Sequence, residues 1–239
     1  MIPTGLRSAL RHLTVLPVGW DAADERASPA AALPWFPVVG VLLGAAVALV
    51  IALPLPALPR AALALAVWTM LTGALHEDGW MDCADSALAV ATRERRLEIL
   101  KDPHVGAHAA TSIVLVMLLR FAALTVTPWS APLVAATCGR WTMVLTLTRF
   151  RAARAGGLGA TFARGARALP ATVVALLIVA LLTALSSMRV PVAAACGLAA
   201  GLATGAWLAA RFGGLTGDGH GASGLAAETV ALLAMMSLA

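Results

Sequence analysis

Charged residues are scarce in this sequence. Only 12% of the 239 residues are charged, whereas 60% are hydrophobic and the mean hydropathy is +0.88. A soluble domain averages about a quarter charged residues, and a water-exposed surface cannot be built from so few. The composition therefore excludes an ordinary soluble enzyme and predicts an integral membrane protein.

Cysteine is also scarce. Cys83, Cys138 and Cys196 are scattered along the chain and form no CxxC pair. An odd number without ligand spacing argues against a disulfide framework and against a structural zinc site. Each lies in an Ala-rich stretch, where we expect a small buried thiol.

Long apolar runs are what the sequence has in abundance. A helix that crosses the hydrocarbon needs ~20 apolar residues. Prolines and polar segments separate seven apolar runs. Before the first run, Arg7 and Arg11 stand four residues apart with leucines at helical spacing beside them, as in an interfacial helix. We predict an all-α fold, a polytopic transmembrane helical bundle of about seven spans with an N-terminal interfacial helix, forming one integral membrane domain over 1–239. The predicted spans are 34–53, 59–75, 111–127, 131–148, 168–187, 190–210 and 225–238.

The distribution of charge predicts the orientation of these spans. If the N-terminus is inside, then 1–33, 76–110, 149–167 and 211–224 share one side of the bilayer. That side carries thirteen of the seventeen Lys and Arg residues, so the positive-inside rule makes it cytoplasmic. Eleven of the twelve acidic residues and all five histidines are on the same side. The net charge of +5 is then topogenic, and we expect no nucleic-acid partner.

The most informative polar segment carries Asp78, Asp82 and Asp85. The spacing i, i+4, i+7 places the three carboxylates on one helix face, directly after an apolar span. Stacked like charges need a positive partner, and carboxylate oxygens suit Mg²⁺. The alternative is an acidic helix end that is simply solvated.

A second polar segment ends in Lys101, Asp102, Pro103, His104 and, two residues later, Gly106. The residues before it have the pattern of an exposed amphipathic helix. Proline ends that helix and glycine permits a tight turn, so the turn would present its acid and lysine toward the Asp cluster. No HExxH pattern surrounds the histidine, which makes zinc the weaker prediction.

Two further segments are candidates for substrate contact. Arg149, Arg151 and Arg154 precede a glycine-rich stretch with no acid, as an anion-binding segment requires. The alternative is ordinary positive-inside charge. Asp218 stands among five glycines in 213–221, where backbone can approach a ligand closely while the carboxylate meets a metal or a hydroxyl.

Two GxxxG pairs, Gly40 with Gly44 and Gly201 with Gly205, permit close helix packing in lipid. We interpret them as packing faces inside one bundle. The sequence does not decide the oligomeric state, and a homodimer is one of the states it allows.

Taken together, these segments resemble the cobalamin synthase family, the adenosylcobinamide-GDP ribazoletransferases. The resemblance runs from about residue 10 to 228 in the family's order and spacing. The segments that carry it are LTVLPVG, PWFPVVGVLLG, GALHEDGWMDCADSAL, RERRLEILKDPHVGAHA, RAGGLG and GGLTGDGHGA. Departures include Glu77, where Leu is common, and Leu225 in place of a Glu, with Glu228 as the candidate for a second Glu.

The resemblance implies a multi-pass enzyme of the cell inner membrane, with its active site facing the cytoplasm and a requirement for Mg²⁺. It would join adenosylcobinamide-GDP to α-ribazole or its 5′-phosphate and release GMP. The expected site residues are Asp78, Asp82, Asp85, Asp102 and His104 for catalysis; Lys101, Arg149, Arg151, Arg154 and Asp218 for substrate; and Asp78, Asp82, Asp85 and Asp218 for the metal.

Two other functions stay open at this point. The DGxxDxxD core also resembles CDP-alcohol phosphotransferases, which would make the chain a lipid head-group transferase. A transporter is the other alternative, but it should place acids near the middle of the membrane. Here the charges within spans are Arg120, Arg140 and Glu228, and the remaining acids gather at one interface.

Overall fold

The computed structural model describes residues 2–19, 22, 26–154 and 156–237. These residues form an all-helical fold whose only bridge between extended segments is the isolated pair Ala152 and Leu215. The elements are α1 (Thr4–Leu13), a 3-10 helix (Pro29–Trp35), α2 (Phe36–Ile51), α3 (Ala57–Thr72), α4 (Leu75–Leu88), α5 (Arg93–Ile99), α6 (Ala107–Val126), α7 (Ser130–Arg149), α8 (Leu158–Ala163), α9 (Ala168–Leu185), α10 (Arg189–Phe212) and α11 (Gly217–Ser237).

Each of the seven apolar runs lies largely on one long helix, with residue 238 of the last run outside the described residues. Within the described ranges, four helical segments have the length and apolarity of a membrane crossing: Pro29–Ile51, Ala107–Val126, Ala168–Leu185 and Arg189–Phe212. The pair α3 and α4 would add a fifth. The all-α membrane fold is confirmed, and the number of seven spans stays a prediction.

The two remaining long helices, α7 and α11, lie at the centre of the bundle. Most residues of α7 are buried, and this helix packs against α2, α10 and α11. Neighbouring helices cover most of the surface of α7 and α11, so polar side chains on them can find partners inside the bundle. This accounts for the threonines and charges that α7 and α11 carry.

The glycine pair on α2 is a packing face inside the bundle, as predicted. A Cβ on Gly40 would lie 2.5 Å from the carbonyl oxygen of Ala136, and one on Gly44 would lie 2.5 Å from Cα of Leu133. Both contacts are with α7. The pair on α10 faces α7 and α11 in the same way. These glycines are occupied within one chain, so a homodimer would have to use another surface.

A sharp bend separates α3 from α4. Gly73 and Ala74 both adopt left-handed backbone (φ 62° and 56°), and their amides close the end of α3 on the carbonyls of Met70 and Thr69. The two helix axes differ by 86°. The Asp cluster therefore lies on a helix of its own, which packs against α6 and α11, and not at the end of the preceding apolar helix.

The N-terminal helix α1 is amphipathic, as expected, and it packs on the 3-10 helix and α2 through Ala9, Leu10 and Leu13. The cysteine prediction holds for two of three thiols. Cys83 and Cys138 are buried, but Cys196 lies on the outer surface of α10.

The last helix begins at Gly217 and not near residue 225. Glycine disfavours helix by about 1 kcal/mol relative to alanine, and the sequence prediction leaves 211–224 as a polar segment between two spans. Its small residues let α11 approach α4, α7 and α10 closely, and this packing outweighs the low propensity. Asp218 is consequently in the first turn of a helix.

Candidate active site

The three aspartates of α4 share the helix face that points away from the core, as the spacing predicts. Asp78 is exposed, while Asp82 and Asp85 are half-buried. Partial burial and the nearby charges of Asp78, Asp218 and Asp85 raise the pKa of Asp82 to about 6. Four carboxylates from two helices are therefore close enough to repel one another.

Asp218 comes to this cluster from α11. A Cβ on Gly79 would lie 3.0 Å from Cα of Asp218, so glycine is what allows α4 and α11 to approach here. The Thr216 hydroxyl donates a hydrogen bond of 3.3 Å to Oδ2 of Asp218. Burial raises the pKa of Asp218, and Arg154 acts in the opposite direction.

Asp85 has a local structural role as well. Its Oδ2 accepts a hydrogen bond from the amide of Gly106 (2.6 Å), and its Oδ1 accepts one from the amide of Ala109 (2.9 Å). The carboxylate thus caps the N-terminus of α6, where backbone amides lack helical partners. This ties α4 to the turn that precedes α6.

That turn brings Asp102 and His104 to the cluster. Both residues line a pocket that also contains Asp82 and Asp85. Oδ1 of Asp102 lies 2.5 Å from Nδ1 of His104 and accepts a hydrogen bond from the His104 amide (3.1 Å). These bonds lower the pKa of Asp102. Lys101 is exposed in the same turn and is not among the residues that line the pocket.

The arginine segment lies beside Asp218. Two backbone hydrogen bonds join it to the start of the glycine-rich segment: from the Ala153 amide to the Leu215 carbonyl and from the Leu215 amide to the Arg151 carbonyl, both 2.9 Å. Nε of Arg151 donates to the carbonyl of Gly213 (2.8 Å). The segments predicted separately from the sequence therefore form one surface.

The three arginines differ in what they can do. Arg154 lines a pocket with Gly156, Gly157 and Asp218, and its buried Nε has no hydrogen-bond partner. Its Nη2 donates a hydrogen bond to the carbonyl of Leu97 (3.1 Å). A fixed guanidinium with an unpaired donor in a glycine-rich pocket is suited to an anion. Arg149 is exposed at the end of α7.

The carboxylates do not form a preformed chelate. Within the described ranges, no group of three or more His, Cys, Asp or Glu side chains is arranged to hold a metal ion. The four aspartates are nevertheless close enough to shift the pKa of Asp82, and all of their donors are the oxygens that Mg²⁺ prefers.

A buried charge network lies behind this site, and the sequence did not predict it. Glu228 of α11 pairs with Arg140 of α7 and with Arg120 of α6, whose Nη1 is 3.1 Å from Oε2. The same Nη1 lies 3.8 Å from Oε1 of Glu77, and the guanidinium stacks 4.5 Å from the ring centre of Trp68. All four charged side chains are buried. The available signal was that charges within spans require partners.

Comparisons with known proteins agree with these motifs. The family described as cobalamin-5-phosphate synthase matches residues 5–236. A protein of Deinococcus radiodurans named adenosylcobinamide-GDP ribazoletransferase is 38% identical over 95% of this chain and 83% of its own length. Proteins with the same name from a Synechococcus strain and from Desulforamulus reducens are each 35% identical, over 92% and 95% of this chain and 90% and 93% of their own lengths. No solved structure gives a significant match.

Proposed function

Because the chain belongs to the cobalamin-5-phosphate synthase family, we propose that it joins adenosylcobinamide-GDP to α-ribazole or its 5′-phosphate and releases GMP. The family match and the relatives' names support adenosylcobinamide-GDP ribazoletransferase activity. The observation that carries the proposal is the meeting of the Asp face of α4, Asp218 and Arg154 at one place.

The reaction is a substitution at phosphorus. A ribose hydroxyl of the acceptor attacks the phosphorus that is linked to cobinamide, a new O–P bond forms, and the bond to the GMP oxygen breaks. The hydroxyl proton passes to a base, and GMP leaves as the anion. Most of the barrier comes from bringing two anionic reactants together and from charge on the phosphoryl oxygens.

Asp78, Asp82 and Asp218 are the residues that would hold Mg²⁺, with Asp85 beside them. When bound, Mg²⁺ would neutralise charge on the pyrophosphate. This assignment agrees with the raised pKa of Asp82, since crowded carboxylates favour any species that relieves their repulsion. Asp85 already accepts two amide hydrogen bonds, so its oxygens have less capacity for a metal than those of the other three.

Arg154 would bind the pyrophosphate. Its buried Nε has no partner, and the adjacent glycines leave room for phosphate oxygens to approach the backbone. Arg151 would act indirectly, because its Nε holds the carbonyl of Gly213 and so positions the segment before Asp218. Arg149 would contribute topogenic charge.

His104 is the candidate base, oriented by Asp102. The contact between Asp102 and Nδ1 leaves Nε2 as the nitrogen that can take a proton, the arrangement found where a carboxylate orients a catalytic imidazole. Both residues line the pocket that contains Asp82. By the positive-inside rule, this surface would face the cytoplasm from the inner membrane.

The activity can be tested with purified protein in detergent or liposomes. The protein should release GMP from adenosylcobinamide-GDP only when α-ribazole 5′-phosphate and Mg²⁺ are both present. Asp82→Asn is the matched inactive control. GMP release that does not require the acceptor would indicate a hydrolase, and transfer to a lipid alcohol from a CDP-linked donor would indicate the head-group transferase.

A further inference from the structure

A second pocket adjoins the proposed site and has a different character. It has a volume of about 150 Å³ and lies among α1, α2, α4, α7, α8 and α11. Its lining is mostly carbon, contributed by Leu13, Phe36, Met143, Leu147 and Phe162. An apolar cavity of about this size is large enough to bind a benzene-sized ring.

One wall of the pocket is aromatic. The rings of His12 and Phe162 meet edge to face, with centroids 4.4 Å apart, and Phe36 lies 6.0 Å from Phe162. Burial and the neighbouring Arg11 lower the pKa of His12, so its ring is neutral at pH 7. Aromatic rings in these orientations pack well against a further planar ring.

One residue of the lining carries a buried polar atom without a hydrogen-bond partner. His76 is 2% exposed, and its Nε2 has no hydrogen-bond partner. His220 also lines the pocket, but its Nδ1 is hydrogen-bonded to the Thr146 hydroxyl at 2.9 Å. An unpaired buried nitrogen costs about 1–3 kcal/mol, so a ligand that supplies one polar atom at His76 would be favoured.

The position of this pocket relates it to the reaction. Asp218, Gly159 and Gly217 line both this pocket and the pocket that contains Arg154. A nucleoside with its base in the apolar pocket would thus have its sugar at Asp218. The phosphate-binding surface would lie immediately beyond.

We propose that this pocket binds the aromatic base of the acceptor nucleoside, and that the ribose extends from it toward Asp218. The assignment rests on the proposed function. The donor's guanine is a second possible source of an aromatic base, but it carries an amide, a carbonyl and an exocyclic amine. An apolar lining would leave these groups unpaired, whereas a benzimidazole-type base has a single free ring nitrogen for His76.

The pocket can be narrowed at Gly221, which lines it. A Cβ there would lie 3.5 Å from Cδ2 of His76, which is an ordinary contact, so alanine fits and we expect a leucine to reduce the space beside His76. For Gly221→Leu the KM for α-ribazole 5′-phosphate should rise about tenfold or more, and for Gly221→Ala by a smaller factor. The KM for adenosylcobinamide-GDP should not change. Gly19→Leu is the control, because Gly19 is exposed with nothing near its Cβ position.

Direct binding gives a readout that does not require turnover. Calorimetric titration with α-ribazole should show weaker binding to Gly221→Leu, or to Gly221→Ala if only that variant folds, with GMP binding unchanged. If GMP binding weakens instead, guanine occupies the pocket and the proposal is wrong. If the affinities for α-ribazole and for GMP are both unchanged, the proposal is also wrong, and lipid would be the remaining candidate occupant of the cavity. If the wild-type protein binds α-ribazole but releases no GMP, the proposed function is wrong and the assignment of the pocket is not affected.

Discussion

Arg140 and Glu228 are 88 residues apart in the chain and form a fully buried ion pair between α7 and α11. The same carboxylate pairs with Arg120, so one glutamate connects three helices. Glu77 extends the network to α4, the helix that carries the Asp cluster. Charges inside a membrane protein are costly unless paired, and here the pairing fixes the relative positions of the helices that build the site.

This network predicts unequal effects of removing its two acids. Glu228→Gln leaves two arginines without their main partner, and loss of one member of a buried pair typically costs about 3–5 kcal/mol. Glu77→Gln removes a longer contact of 3.8 Å with Arg120 and a weaker attraction to Arg140, and it should cost less. Thermal unfolding of both variants in the same detergent measures the difference. Equal stability of the two variants would contradict the central role of Glu228.

Asp82 offers the sharpest test of the metal site. Asp82→Asn keeps the shape of the side chain but removes its charge, so we expect activity to fall by orders of magnitude while the protein still inserts and purifies. Wild-type protein should gain thermal stability when Mg²⁺ is added, by mass action on the folded state. The variant should gain much less. A variant that responds to Mg²⁺ as the wild type does would place the metal elsewhere.

The same residue predicts a pH dependence in metal-free protein. The pKa of Asp82 is about 6 in the folded state and near 3.8 when unfolded. The folded protein therefore holds this proton more tightly, and the contribution of Asp82 to wild-type stability falls as pH rises from about 4 through 6. Asp82→Asn lacks this contribution. In EDTA, the melting temperature of the variant relative to that of the wild type should rise over that pH range. A difference that does not change with pH would contradict the raised pKa of Asp82.

Arg154 and Arg149 form a matched pair for the pyrophosphate site. A charge-assisted contact is worth about 1.5–3 kcal/mol, so Arg154→Ala should raise the KM for adenosylcobinamide-GDP about tenfold to a hundredfold. Arg149→Ala removes an exposed charge outside the pocket and should leave the KM unchanged. Initial rates of GMP release measure both values. If the two variants have the same KM, the arginine segment contributes only to membrane orientation.

The orientation in the membrane can be tested with introduced cysteines. Val90, Leu58 and Met188 are all exposed, and the positive-inside rule places the first on the cytoplasmic side and the other two outside. In a Cys196→Ala background the two remaining thiols are buried. A membrane-impermeant maleimide should label Val90→Cys only in inverted vesicles and the others only in right-side-out vesicles. Labelling of all three from one side would exclude the seven-span topology.

Much of this molecule could be predicted from the sequence because its determinants are local. Apolar runs of helical length define the long helices, and the i, i+4, i+7 spacing puts Asp78, Asp82 and Asp85 on one face. The bias of Lys and Arg predicts the orientation. The first two properties depend on neighbours within a few turns, and the third can be counted along the chain once the spans are assigned.

Only the tertiary structure decided which distant groups meet. The left-handed backbone at Gly73 and Ala74 turns α4 away from α3, and propensity alone does not predict such a conformation at an alanine. The packing of α11 makes a glycine-rich segment helical and brings Asp218 to Gly79. The pairing of Glu228 with two arginines likewise depends on contacts between helices far apart in sequence, whose energies exceed the local preferences they override.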